Sequence, residues 1–163
     1  YLALIPGGNH HLKRIPPAVL APVAAWAVSR GWGVVLLGSG VHDQAAAEAI
    51  RAQVPEALDL TAPRPLSESA AWAVGAEAAL GPDSGLSFLS AAGGVPTVAV
   101  FGPTRPEWST PPGPRVKVVR NEAMACLGCF RNHCPFEPRI PCMQELDPAL
   151  LIARLEAALE TPR

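Results

Sequence analysis

The sequence carries little charge and almost no excess of either sign. Charged residues make up 17% of the chain, and 13 Lys and Arg against 14 Asp and Glu give a formal net charge of −1 at pH 7. This balance excludes the broad positive surface with which a protein binds duplex nucleic acid as its main partner. Any anion that the protein binds must therefore be held by a local group of residues.

Long apolar runs and an export signal are also missing. No stretch approaches the roughly 20 apolar residues that cross a bilayer. The first residues are apolar, without a basic region or a small-residue cleavage site. Because 49% of the residues are hydrophobic, the chain has enough apolar side chains to build a core. We expect a soluble, cytoplasmic, globular protein with no transmembrane segment.

The length of 163 residues matches one ordinary domain. We expect residues 1–163 to form a single domain that includes a four-cysteine segment at 124–143 and a closing helix at 147–160. Asp147 and Pro148 suit the N-cap and the first position of that helix. Leucines at positions 150, 151, 155 and 159 then lie along one face of the helix.

Short apolar runs alternate with helical patterns along the rest of the chain. The runs predict six strands, at Leu2 to Ile5, Gly33 to Leu37, Leu58 to Leu60, Glu77 to Leu80, Thr97 to Phe101 and Val116 to Val119. Four helical patterns lie between them, at Pro16 to Arg30, Ala45 to Val54, Ser67 to Gly75 and Leu86 to Ala92. This alternation predicts an α/β fold with a Rossmann-like, open, mostly parallel sheet and helices on both faces.

Glycine-containing loops follow four of the predicted strands: Pro6-Gly7-Gly8, Gly38-Ser39-Gly40, Asp83-Ser84-Gly85 and Gly102-Pro103-Thr104. Ligands of open parallel sheets bind beyond the carboxyl ends of the strands, so we expect these loops to share one rim. Lys13 and Arg14 follow the first loop, and two cations beside backbone N–H groups suit a diphosphate. The alternative for this loop is an ordinary strand-to-helix turn with solvated basic residues.

An aspartate and a serine stand at the start of the predicted helix at Leu86 to Ala92. The amides of Ser84 and Gly85 would bind phosphate oxygens while Asp83 accepts hydrogen bonds from sugar hydroxyls; the alternative is that Asp83 only caps the helix. The stretch does not have the Gly-x-Ser-x-Gly spacing of a serine hydrolase. Gly38-Ser39-Gly40 lacks the third glycine of a dinucleotide fingerprint, which disfavours a nicotinamide-dependent dehydrogenase.

All four cysteines of the chain lie within one short segment, at Cys126, Cys129, Cys134 and Cys142. Four thiolates suit a tetrahedral zinc ion, which would order a proline-rich segment with few apolar residues. The first prediction is therefore a structural zinc site. Two disulfides, an iron–sulfur cluster and four reduced buried thiols are the alternatives. His133 is a spare ligand candidate or an ordinary surface histidine.

Several of these motifs occur together in the order found in one known family. They are Pro6-Gly7-Gly8 through Lys13-Arg14, Leu37-Gly38, Pro82 to Leu86, and Phe101-Gly102-Pro103-Thr104-Arg105-Pro106. The chain resembles the C-terminal half of glycosyltransferase family 9, the ADP-heptose:lipopolysaccharide heptosyltransferases. The resemblance runs from about residue 2 to the closing helix, and many members also carry a cysteine-bearing segment before that helix.

The resemblance implies one lobe of a GT-B enzyme, an inverting glycosyltransferase with two Rossmann-like lobes. This lobe would bind a nucleotide-sugar donor, with an ADP-sugar as the first candidate, and no cofactor is implied for catalysis. The N-terminal lobe would bind a lipopolysaccharide-type or other glycan acceptor and supply the general base, and any contact with the inner membrane would be peripheral, through that acceptor. The donor-binding positions would be Gly7, Gly8, Lys13, Arg14, Asp83, Ser84, Gly85 and Thr104, with Asp43 as the nearest match to an acidic residue that contacts the nucleoside.

Two positions depart from the pattern of the family. Phe88 stands where members usually have a histidine that binds the donor phosphates, and Ile15 stands where a tryptophan is common. The second change affects packing, whereas the first bears on donor binding and activity. The rival prediction is accordingly a non-catalytic binding module with a metal-stabilised cysteine loop.

Overall fold

The computed structural model describes residues 1–162. Its sheet has six strands, β1 at Leu2–Leu4, β2 at Val34–Leu37, β3 at Leu58–Leu60, β4 at Ala78–Pro82, β5 at Thr97–Val100 and β6 at Val116–Val119. All neighbouring strands are parallel, in the order β3-β2-β1-β4-β5-β6. The expected Rossmann-like sheet is therefore confirmed, and within the described residues it is parallel throughout.

Seven α-helices connect or follow the strands: α1 at Pro17–Ser29, α2 at Val41–Arg51, α3 at Leu66–Val74, α4 at Gly85–Ala92, α5 at Pro106–Ser109, α6 at Pro141–Gln144 and α7 at Pro148–Glu160. A short 3-10 helix at His11–Lys13 precedes α1. The closing helix α7 begins as expected, because the Asp147 side chain accepts a hydrogen bond from the Ala149 amide. None of the helices in residues 1–162 has the length and apolar character needed to cross a bilayer.

The strands bury both of their faces, since successive side chains of a strand point to opposite sides. Leu2 and Leu4 of β1 belong to a core that includes residues of α1, α2 and α7, whereas Ala3 and Ile5 belong to a second core with Ala73 of α3. Helices thus cover both faces of the sheet, as the alternation in the sequence predicts.

Helix α2 begins four residues before the expected Ala45. Its N-cap is Gly40, which has φ 128°, a conformation that favours glycine. The Asp43 carboxylate in its first turn accepts a hydrogen bond from the Ser39 amide over 2.8 Å. The first turn is polar and lies outside the apolar periodicity, which is why the sequence pattern places the start too late.

Chain order reverses between β1 and β4, which lie side by side although β2 and β3 separate them in the sequence. The loops after these two strands leave toward opposite halves of the sheet and open a crevice at its carboxyl edge. This is the position at which an open α/β sheet binds its ligands.

Candidate functional site

A cavity of about 700 Å³ lies at the junction of β1 and β4. It is lined by the loops that follow the first four strands, and its walls include Gly7, Gly8, Lys13, Arg14, Gly38, Ser39, Gly40, Asp43, Arg64, Asp83, Ser84 and Gly85. Seven of the eight residues expected to bind the donor therefore line one cavity. Thr104 is the exception.

The ammonium group of Lys13 joins the two sides of the crevice. Its Nζ atom donates to the carbonyl oxygen of Asp83 and to Oδ2 of the same residue, each over 3.1 Å. The two side chains are only 24% and 10% exposed, so solvent screens this ion pair weakly. An ammonium has three N–H donors, and one remains for a ligand oxygen.

Lys13 stands at the end of the short 3-10 helix, whose start and end are both fixed. The ring of His10 accepts a hydrogen bond from the Leu12 amide at the start. The Ile15 amide donates to the carbonyl oxygen of Pro6 over 2.9 Å just after the end. The turn therefore returns the chain to β1 after presenting Lys13 and Arg14 to the cavity.

Helix α4 begins at the cavity wall opposite Lys13. Ser84 is the N-cap in an extended conformation, and its hydroxyl faces the hydroxyl of Ser87 at 3.1 Å instead of capping the helix. The alternative in which Asp83 only caps α4 is wrong, because its carboxylate pairs with Lys13. The first N–H groups of a helix lack intrahelical acceptors. A Cβ atom on Gly85 would meet no atom within 4 Å, so there is open space beside the first residue of the helix.

Gly7 and Gly38 have a steric role beside the cavity. A Cβ atom on Gly7 would lie 1.9 Å from Oδ1 of Asp43. A Cβ atom on Gly38 would lie 2.6 Å from the Cβ atom of the same aspartate. Both glycines thus make room for the aspartate that fixes the start of α2. Gly8 is different, because its added Cβ would have only ordinary contacts, the shortest being 3.8 Å to Ser84.

Arg64 is a cavity residue that the sequence interpretation missed. It follows β3, where its Nε donates to the carbonyl oxygen of Leu60 over 3.1 Å and its guanidinium pairs with Glu68. Its side chain is 15% exposed and lines the cavity on the side of β2 and β3. Leu66 and Val41 line the same side with largely exposed side chains. A cation in the loop after the third strand was the signal that could have pointed to this wall.

Thr104 does not line the cavity, contrary to the expectation of four loops around one site. The loop after β5 turns toward the cysteine segment, where the Gly128 amide donates to the carbonyl oxygen of Gly102 and the Phe130 amide to that of Pro103. Gly102 lies against Met143 and Cys142. Thr104 itself is buried, and its hydroxyl has no hydrogen-bond partner among the described residues.

Phe88 is part of the cavity wall, one helical turn after Ser84. Its side chain is partly buried. It does not separate the two sides of the crevice, because Lys13 and Asp83 are in direct contact. The wall is therefore apolar at the position where the family resemblance leads us to expect a histidine.

The four cysteines surround a second, smaller cavity of about 130 Å³. All four are free thiols. Burial, together with the neighbouring thiols of Cys126, Cys134 and Cys129, raises the pKa of Cys142 to about 11. Thiolates are ligands that a thiophilic metal prefers, so the residue types around this cavity suit such a metal. Within residues 1–162, however, no set of three His, Cys, Asp or Glu side chains is arranged to hold a metal ion, and the zinc site stays a prediction.

This chain is similar to known proteins in sequence and in fold. Residues 1–140 match the model of glycosyltransferase family 9 (heptosyltransferase). Lipopolysaccharide heptosyltransferase 1 of Pseudomonas aeruginosa is 30% identical over 176 aligned residues, which cover 99% of this chain and 49% of that protein. The structure of E. coli ADP-heptose lipopolysaccharide heptosyltransferase II superimposes with a TM-score of 0.80 at 25% identity, over 97% of this chain and 46% of that one.

A further similar structure is that of a dodecameric iron-containing E. coli heptosyltransferase, TibC, in complex with ADP-D-beta-D-heptose. Its TM-score is 0.70 at 22% identity, over 98% of this chain and 46% of that one, and this likeness concerns the fold. The chain spans about half the length of these relatives. The family match over most of its length, with the four-loop cavity at the β1–β4 junction, shows that the chain belongs to glycosyltransferase family 9.

Proposed function

We propose that this chain is the donor-binding half of an inverting glycosyltransferase, and that the cavity at the β1–β4 junction binds the diphosphate of a nucleotide sugar. The observation that carries the proposal is the contact between Lys13 and Asp83 at the start of α4. It places a cation, a carboxylate and the N-terminus of a helix around one open space, which is the chemistry that binds a sugar diphosphate.

The diphosphate would lie between Lys13 and the first amides of α4. Lys13 has one N–H donor left for a phosphate oxygen, and Arg14 lines the same cavity. The amides of Ser84 and Gly85, aligned with the helix dipole, would bind further phosphate oxygens. Asp83 would then accept hydrogen bonds from sugar hydroxyls through the carboxylate oxygen that Lys13 does not use.

The nucleoside would extend from the diphosphate toward β2 and β3. Asp43 lies on this side and would accept hydrogen bonds from ribose hydroxyls. Val41 and Leu66 are 72% and 68% exposed, and they offer an apolar surface that a base would cover. The name of the E. coli relative contains ADP-heptose, and an ADP-sugar is accordingly the first donor that we propose.

In the proposed reaction, a hydroxyl oxygen of a glycan acceptor attacks the anomeric carbon of the donor sugar. The bond between that carbon and the phosphate oxygen breaks, and the nucleoside diphosphate leaves with the bonding electrons. Lys13, Arg14 and the α4 amides would stabilise the charge that develops on the leaving group. The proton of the acceptor hydroxyl would pass to a base in the other half of the full-length enzyme, which would also bind a lipopolysaccharide-type acceptor.

Two further parts of the proposal concern the cysteine segment and the location of the protein. We propose that Cys126, Cys129, Cys134 and Cys142 bind a structural metal ion, zinc first, which would hold a segment rich in proline. Free thiols of this kind persist in the reducing cytoplasm, where the protein would act.

Calorimetry with this chain tests the donor site directly. We expect ADP to bind more tightly than adenosine, because the diphosphate supplies the contacts to Lys13 and α4. UDP serves as the comparison for the base and inorganic phosphate as the control for a non-specific anion. If neither ADP nor UDP binds, the proposal of a donor site is overturned and the rival of a non-catalytic module is favoured.

A further inference from the structure

One helical turn connects the donor cavity with the cysteine segment, which is defined here as residues 124–143. Its three residues are consecutive, but they face two different sites. Lys13 reaches across the donor cavity to Asp83, Leu12 contributes to the wall of the cysteine cavity, and His11 contacts Glu137 of the cysteine segment.

Leu12 is buried and faces the cysteine segment across the small cavity. Its side chain is 2% exposed, and it lines the same cavity as the four cysteines, together with Ile140 and Pro141. A leucine held in this way fixes the rotation of the turn about its axis. Because Lys13 is the next residue, its direction depends on where Leu12 packs.

Glu137 makes a second connection at the surface. Its Oε1 atom accepts a hydrogen bond from the Cys134 amide over 3.1 Å and lies 3.1 Å from Nε2 of His11. These hydrogen bonds lower the pKa of Glu137 below its usual value. One carboxylate thus joins the backbone at a cysteine to the first residue of the turn.

We propose that the cysteine segment holds Lys13 in its phosphate-binding position, with Leu12 and Glu137 as the positioning residues. This inference rests on the proposed function, since it concerns the contact of Lys13 with a diphosphate. A free lysine side chain loses much rotamer freedom when it is held at one place. If the turn is already fixed in the free protein, less of this entropy is lost when the ligand binds. The cysteine segment would therefore raise the affinity for the ligand without contacting it.

Truncation of Leu12 should affect the binding of ADP but not that of adenosine. Leu12→Ala should weaken ADP binding about tenfold, because the loss of one cation–phosphate contact is of that order. Binding of adenosine should stay unchanged, since adenosine has no phosphate for Lys13 to contact. A general loss of structure would instead weaken both ligands.

A double-mutant cycle with Lys13→Ala provides the decisive test. If Leu12 acts through Lys13, then Leu12→Ala causes no further loss of ADP affinity in the Lys13→Ala background. The conservative variant Leu12→Met should keep the affinity of the wild-type chain. Equal losses from Leu12→Ala in both backgrounds, or a matching loss for adenosine, would overturn the inference.

Matched variants control for stability. Leu155→Ala removes an equally buried leucine of α7 and should lower the melting temperature without changing the ratio of ADP to adenosine affinity. If Leu12→Ala does not fold, Glu137→Ala replaces it in the cycle, because Glu137 is exposed. Glu145→Ala is its control, since among residues 1–162 the Glu145 side chain pairs with Arg139, outside the turn.

The two proposals fail in different ways. A wild-type chain that binds neither ADP nor UDP overturns the donor site, and the inference with it. A chain that binds ADP through Lys13 but shows additive losses in the cycle keeps the donor site and overturns only the role of the cysteine segment.

Discussion

Nζ of Lys13 lies 3.1 Å from Oδ2 of Asp83, although 70 residues separate them in the sequence. The contact connects the loop after β1 to the start of α4, at the point where the order of the strands reverses. It is the structural relationship on which the proposed donor site depends, because it brings the cation and the helix N-terminus to the same open space.

Replacing Lys13 by alanine should weaken ADP binding by about 10- to 100-fold, since a hydrogen bond to a charged group contributes roughly 1.5–3 kcal/mol. The variant also leaves the carboxylate of Asp83 buried without its cation. We therefore expect the free energy of unfolding to fall by about 1–3 kcal/mol. Calorimetry and urea denaturation measure the two effects.

Lys117→Ala is the matched control for this prediction. Lys117 is the second lysine of the sequence, and it lies on β6. It should leave both the ADP affinity and the stability close to those of the wild type. Equal ADP affinities of Lys13→Ala and the wild type would contradict the proposed site.

Gly85→Ala separates ligand binding from stability. The added Cβ has no neighbour within 4 Å, and alanine in a helix is favoured over glycine by about 0.5–1 kcal/mol. We expect a melting temperature that is equal or higher and an ADP affinity that is lower, because the new methyl group fills the space that phosphate oxygens would use.

Gly81→Ala is the comparison for stability, because here the added methyl group has no room. Its Cβ would lie 2.7 Å from both Cβ of Ile5 and Oγ of Ser87, so we expect a lower melting temperature. An unchanged ADP affinity in Gly85→Ala would mean that the phosphates do not approach the start of α4.

Phe88→His tests whether the apolar wall weakens donor binding. Phe88 lines the cavity without separating Lys13 from Asp83. An imidazole there would add a hydrogen-bond donor toward the diphosphate, and we expect a higher ADP affinity by calorimetry. Phe88→Leu should bring no gain, because it keeps the wall apolar. If Phe88→His has no effect, the rival interpretation of a binding module that has lost its donor site gains support.

The cysteine segment should contain one bound metal ion per chain. Elemental analysis by mass spectrometry, combined with a count of free thiols, is expected to find stoichiometric zinc. Cys142→Ser should lose the metal, since it removes one of the four ligands. Iron at the same stoichiometry would show a metal site but a different metal, and a chain without metal and without free thiols would indicate disulfides.

The stability of the metal-free chain should depend on pH in the alkaline range. The pKa of Cys142 is raised from 9.0 to about 11 by burial and the neighbouring thiols. A raised pKa stabilises the folded state while the thiol is neutral, so this contribution is complete below pH 9 and is lost as the pH rises to about 11. Urea denaturation of Cys142→Ala should show a smaller loss of stability across that range than the wild type. If the wild type and Cys142→Ala lose the same stability across this pH range, the loss does not come from ionisation of Cys142.

The sequence predicted the sheet well, because buried parallel strands produce short, wholly apolar runs. The limits of β3 and β6 match the structure, and the other four strands differ by at most two residues at an end. The short helices α5 and α6 were missed, since four residues are too few to show a helical period. Both also begin with a proline, which suits a turn equally well.

The sequence predicted those site residues that belong to a recognisable motif. It did not predict the positions of loops that depend on packing against distant parts of the chain. Lys13 and Asp83 could be placed on one rim, because their loops follow neighbouring strands of an expected sheet. The direction of the loop after β5 depends on the contact of Gly102 with Cys142 and Met143, which lie 40 and 41 residues later in the chain and have no local signal. Arg64 was missed although it follows β3 directly, because its loop has no glycine-containing motif, and its place in the wall depends on its hydrogen bond to the backbone of Leu60.

Amide NMR spectra of this chain during titration with ADP show directly whether the diphosphate binds at the β1–β4 junction. We expect the largest shift changes at the amides of Gly8, Ser84 and Gly85, and we expect these changes to be absent in Lys13→Ala at the same ADP concentration. Shift changes confined to residues away from the β1–β4 junction, or none at saturating ADP, would contradict the proposed donor site.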